Sequence, residues 1–96
     1  MLYTVKMISL PKEMLDAYLQ RRQADIEVLK KSIQLDSVAD FNRIGHQLLG
    51  NARNYGFHTL EPIAAKLENL KKENLREQGP SIINEFSEWL TRTLNS

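Results

Sequence analysis

His46 is the residue best suited to covalent chemistry here, and it stands in the run His46-Gln47-Leu48-Leu49-Gly50. The chain has no cysteine, which excludes thiol nucleophiles, thiolate metal sites and disulfides. On a helical wheel advancing about 100° per residue, Phe41, Ile44, Leu48, Ala52 and Tyr55 cluster about 160–240° from His46. The imidazole therefore points away from any core that this helix helps to build. Its own face carries Ala39, Asn42, Arg43, Leu49, Gly50 and Arg53. An exposed neutral imidazole is a competent nucleophile near neutral pH and needs no general base. Two glycines share the helix, and each costs up to about 1 kcal/mol against alanine. Gly45 lies at the edge of the apolar face, where close helix packing is a sufficient reason for it. Gly50 is one turn beyond His46 on the exposed face, so packing within this domain does not explain it. A missing side chain there clears space beside the imidazole for the close approach of another protein.

The elements that must hold this helix follow from apolar spacing. Leu15, Tyr18, Leu19, Arg22, Ile26, Leu29 and Ile33 repeat at helical intervals and predict a first helix from about Pro11 to Gln34, with a kink conceivable near Gln23. One position of that stripe is an arginine. Ser37 is the expected cap of the second helix, Asp40 places negative charge in its first turn, and Gly56 is the expected stop. A third helix is expected from near Thr59, with Pro62 in its first turn and Leu60, Ile63, Ala64, Leu67 and Leu70 buried, running to Asn74–Arg76. Gln78-Gly79-Pro80 reads as a turn, and Ser81 as the cap of a fourth helix. The core face of that helix is Ile82, Ile83, Phe86, Trp89 or Leu90, and Leu94. Met1 to Ile8 shows no clear period and is left as a short irregular N-terminal extension. The expected fold is all-α, an antiparallel up-and-down four-helix bundle formed by one domain over residues 1–96.

Composition narrows the function. The 96 residues carry a formal net charge of only +1, without the basic stripe of a nucleic-acid binder. No segment has the length and hydropathy of a secretory signal or a membrane span, so a cytoplasmic protein is expected. No phosphate-cradling glycine loop or nucleophile–base constellation is visible, which argues against an ATP-dependent kinase or a hydrolase. His58 is read as structural, and no metal site is expected because His46 faces outward without an acid–histidine pair at ligand spacing. Lys66, Lys71, Lys72 and Arg76, with Glu68 and Glu73, read as a solvated face of mixed charge.

The run from His46 to Gly50, followed by Gly56, resembles the signature of the histidine-phosphotransfer (HPt) family. That signature has a histidine, a variable residue, an aliphatic, usually a lysine, a glycine, and a second glycine six residues later. The resemblance continues through Tyr55-Gly56-Phe57 and Leu60…Ile63-Ala64…Leu67-Glu68, and upstream through Tyr18-Leu19-Gln20-Arg21-Arg22, covering roughly Leu10 to Leu94. It implies a phosphocarrier rather than an enzyme. His46 Nε2 would exchange a phosphoryl group with an aspartate on the receiver domain of a response regulator or hybrid histidine kinase, and that receiver would supply the Mg²⁺. The chain itself would need no cofactor.

One departure from the family pattern affects the chemistry. Leu49 stands where a lysine is usual. Arg43 and Arg53 lie on the same face and could replace that cation, Arg43 being the closer, or each could be a solvated surface charge. Leu49 could join a docking patch with Ala39 or close a crevice over the core. Asn42 and Gln47 could hydrogen-bond the imidazole or a phosphate. The alternative function is an HPt-like adaptor that docks receivers or kinases without phosphoryl transfer.

Overall fold

In the computed structural model, which describes residues 10–95, the apolar stripes resolve into four α-helices: α1 Lys12–Gln34, α2 Ala39–Asn51, α3 Glu61–Asn69 and α4 Leu75–Leu94. The N-terminal extension expected at Met1 to Ile8 lies outside the described residues. Among the described residues there is no strand, and neighbouring helices run antiparallel. Ser32 on α1 hydrogen-bonds Asp40 at the start of α2, while Tyr18 reaches Asn51 at its end. Arg53, just past α2, pairs with Glu61 at the start of α3, and Asn42 meets the far end of α3. Ile33 near the end of α1 packs against Gly79 near the start of α4. The architecture is the up-and-down bundle expected from the sequence.

Burial of the stripe residues supplies the main favourable contribution to this fold. Leu29, Phe41, Ala52, Leu60, Ala64, Leu67, Leu75 and Phe86 are fully buried at its centre. Arg22 takes its place in the α1 stripe with its guanidinium carbon 4.2 Å from the centre of the Tyr18 ring and its Nε 2.8 Å from Asp25. Tyr18 also stacks on Tyr55 with ring centres 4.3 Å apart, and its hydroxyl donates to Asn51 at 2.7 Å. These contacts fasten α1 to the C-terminal end of α2. Trp89 is buried, as expected of a core residue, and its indole N–H donates to Thr59 at 2.8 Å.

Several boundaries differ from those expected. Ser37 does not cap α2; Val38 occupies that position, and the Ser37 N–H instead bonds the Ser32 carbonyl after Asp36 turns the chain with a positive φ of 56°. The α-helical part of α2 ends at Asn51, and a single 3₁₀ turn, Arg53–Tyr55, carries the chain to Gly56, whose φ of 82° ends the helical run. The largest correction concerns α3 and α4. The break falls at Leu70–Lys71, and Gln78-Gly79-Pro80 lies inside α4 rather than in a turn. An interior proline forfeits a backbone hydrogen bond and disfavours helical φ/ψ in the residue before it. Because that residue is glycine, no Cβ meets the proline ring. Gly79 is also buried, and a methyl group there would sit 3.2 Å from Ile33 Cδ1. Burial of Leu75, one turn earlier, carries the apolar stripe of α4 back across the Gly-Pro pair.

Candidate functional site around His46

α2 presents one face to the core and the opposite face to solvent. Phe41, Ile44 and Leu48 are buried, while the His46 side chain is 79% exposed. Gly45, next in sequence to His46, is buried against α3. A methyl group on it would lie 2.6 Å from the Ala64 carbonyl oxygen and would collide with the backbone nitrogen of Glu68. Only glycine permits that approach, and it sets the Glu68 backbone directly beside the helix that carries His46. Asn42 reinforces the contact. Its amide is shared among the carbonyls of Leu67, Glu68 and Leu70, at 3.2, 2.9 and 3.0 Å, where α3 ends and carbonyls run short of helical partners; the Leu67 carbonyl also accepts the Leu70 N–H at 3.4 Å. The structure thus gives Asn42 a different part from the imidazole or phosphate contact considered above: it holds the C-terminal turn of α3 against α2.

The consequence of this docking is a hydrogen bond between His46 Nδ1 and Glu68 Oε2 at 2.7 Å. An ionised carboxylate only accepts, so Nδ1 is the donor, and in the neutral ring the lone pair is then on Nε2. Sequence reasoning placed Glu68 on a solvated charged face and missed this contact. Glu68 is twenty-two residues from His46, and no local spacing links them. Lys66, from the same charged face, turns to the other side of α3 and pairs with Glu85 at 2.9 Å.

The remaining expected site residues share the exposed face of α2 or the turn after it, and the arginines bond to carboxylates rather than to the imidazole. Gly50 is exposed, and a methyl group there would meet nothing within 4 Å, so the space beside His46 is open. Leu49 is 37% exposed and belongs to the surface rather than the core. Arg43 donates to Asp40 at 2.9 Å, with Gln47 Oε1 at the outer limit of bonding, 3.5 Å away. That contact from Arg43 is the foremost reason the Asp40 carboxyl sits below its ordinary pKa. Arg53 donates Nη2 to Glu61 Oε1 at 3.0 Å and Nε to Oε2 at 3.4 Å. The same carboxylate meets His58 Nδ1 at 3.2 Å, and Glu61 is held below its ordinary value, first by its bond from Arg53. Both candidate cations thus already have carboxylate partners.

A helical bundle is also the architecture of a known family. The family model of the Hpt domain matches residues 13–96. The chain belongs to the Hpt domain family. Comparison with curated proteins and with solved structures gives no match. As an Hpt domain the chain is a helical module of two-component signalling, related to phosphotransfer, and domains of this family interact with receiver domains and histidine kinases in phosphorelays. Among the described residues of this Hpt domain no helix is long and apolar enough to cross a membrane, and no group of three or more His, Asp or Glu side chains is gathered to hold a metal.

Proposed function

We propose that this Hpt domain is a phosphocarrier in which His46 Nε2 exchanges a phosphoryl group with the aspartate of a partner receiver domain. The observation that carries the reading is the Glu68 contact, which directs the lone pair to Nε2 on an otherwise exposed imidazole. In the forward step Nε2 attacks the phosphorus of the receiver's aspartyl phosphate. A P–N bond forms, the acyl P–O bond breaks, and the aspartate leaves as its carboxylate. No proton has to leave Nε2. The proton on Nδ1 stays in place, and the ring gains positive charge that the Glu68 carboxylate offsets through a charge-assisted hydrogen bond. The open surface over Gly50 admits the partner's active site, which supplies the Mg²⁺ and most of the charge stabilisation around the phosphoryl group. The chemistry belongs to the pair of proteins, and this chain contributes the nucleophile and its orientation.

Incubation with a phosphorylated receiver domain and Mg²⁺ should label the parent with an acid-labile, base-stable phosphoramidate, and His46→Gln should take no label. Equal labelling of that variant would overturn the assignment. A second reading is favoured by one observation: Leu49 replaces the usual lysine, and the two arginines on this face are engaged by Asp40 and Glu61. On that reading the domain docks receivers without transfer. Binding without labelling in the parent, with labelling gained by Leu49→Lys, would select it.

A further inference from the structure

The seam between α2 and α3 carries two polar pairs in register. His46 and Arg53 are seven residues apart on one side, and Glu68 and Glu61 are seven apart on the other. The pairs His46–Glu68 and Arg53–Glu61 therefore lie two helical turns, about 10 Å, from each other. By helical spacing Leu49 and Gly50 on α2 and Ala65 on α3 fall between them, and none of the three is charged. Resting on the reading of His46 as phosphoryl acceptor, we propose that Arg53 is the phosphoryl-binding cation of this domain. It leaves Glu61 for the phosphoryl group when His46 is modified, and so takes the part of the lysine that Leu49 replaces.

Three observations support this exchange. The first is direction. Helical side chains lean toward the N-terminus of their helix, and the backbone keeps helical angles through Ala52. That lean would carry Arg53 back toward Gly50 and His46 once it leaves Glu61, whereas the short bond of Arg43 runs to Asp40, on the far side from Gly50, with Gln47 only at 3.5 Å. Proximity along the sequence favoured Arg43; side-chain direction reverses that order. The second is space. Gly50 lies between His46 and Arg53 on the same face and leaves an open path along the helix. The third is the strength of the competing partner. The Arg53 side chain is 73% exposed against 22% for Glu61, so water reaches the guanidinium end of the pair and weakens it. A phosphoryl group carries more negative charge than a carboxylate and matches the guanidinium fork with several oxygens. Glu61 keeps a hydrogen-bonding partner after the exchange, because His58 Nδ1 also contacts it at 3.2 Å.

Phosphoramidate, a small-molecule phosphodonor, tests this without a receiver. The rate of His46 phosphorylation would be followed in the parent, Arg53→Ala, Glu61→Gln and Arg43→Ala, with the Arg53 Nε–H resonance observed in the ¹⁵N-labelled parent. Arg53→Ala should react about tenfold more slowly, the loss of one charge-assisted contact. Glu61→Gln, which frees the guanidinium, should react at least as fast as the parent. Arg43→Ala should stay within about twofold of it. The Arg53 resonance should shift on phosphorylation. If His46 is phosphorylated while that resonance stays still, or if Arg53→Ala and Glu61→Gln are slowed alike, Arg53 is only structural and the exchange is wrong. If neither phosphoramidate nor a phosphorylated receiver labels His46 at all, the underlying phosphocarrier reading is what fails.

Discussion

At the scale of single residues, the chemistry depends on which of two ring nitrogens is available. The 2.7 Å bond from His46 Nδ1 to Glu68 selects the tautomer of the neutral ring and, in the proposed transfer, places a carboxylate beside the ring as it gains positive charge. A hydrogen bond to a charged group contributes about 1.5–3 kcal/mol, so Glu68→Ala should lower the transfer rate by roughly 10- to 100-fold. Receiver binding should change little, because Glu68 sits behind the imidazole rather than at the open surface over Gly50. Single-turnover transfer measured beside a binding isotherm separates these effects, and a variant that binds weakly but transfers at the parental rate would assign Glu68 to docking instead. Gly50 shows the complementary case of a residue whose contribution is the absence of atoms. It satisfies no contact of its own fold and leaves the approach to His46 clear.

At the scale of elements, the site is built by how closely α3 can lie on α2. Gly45 removes the side chain that would collide with the Ala64 and Glu68 backbone, and Asn42 then satisfies the carbonyls at the end of α3. The same amide explains why the chain breaks at Leu70 without a glycine or proline: hydrogen bonds from another helix replace the local stop signal. Asn42→Ala would remove the side-chain donor from those part-buried carbonyls, leaving Leu67 its bond from the Leu70 N–H. It should destabilise the domain by about 1–3 kcal/mol, read as a lowered urea midpoint. It should also slow transfer, since Glu68 belongs to the turn that Asn42 holds. An unchanged midpoint would show that solvent satisfies these carbonyls equally well.

At the scale of the whole molecule, the bundle is elongated, with extents of 51 × 22 × 16 Å over the described residues. Its ionisable groups act in opposite directions on stability. Asp40 is held below its ordinary pKa, foremost by the hydrogen bond from Arg43 and further by Ser32; Glu61 is lowered chiefly by Arg53. A carboxylate lowered on folding adds stability above its unfolded value, near pH 4, and that stability is lost as pH falls through the folded value. Asp25 runs the other way, because burial raises its pKa despite the adjacent Arg22. Its contribution is present at acid pH and lost as pH rises through its folded value. The fall in Tm on acidification below about pH 4 should therefore be shallower in Asp40→Asn than in the parent. Thermal melts across that range would show it, and identical acid limbs would mean that the Asp40 contacts do not persist in solution.

The helical periodicity of α1 and α2, the exposure of His46 and the open space at Gly50 were all legible in the sequence. Each depends on residues within a turn or two of one another, where the 3.6-residue repeat alone dictates which side chains share a face. The family resemblance was legible for the same reason, since its signature is a short run on one helix face. What the tertiary structure decided lies between helices. It moved the α3–α4 boundary from Gly79-Pro80 to Leu70, turned Asn42 from the site surface to the α3 carbonyls, and brought Glu68 to the imidazole. It also gave Arg43 and Arg53 their carboxylate partners, Asp40 and Glu61. No local pattern encodes such pairs. They exist only once two helix faces meet, and here a glycine at the contact sets how closely they can. For His46, the sequence determined that the side chain faces solvent, and the packing of α3 against Gly45 decided which of its nitrogens meets Glu68.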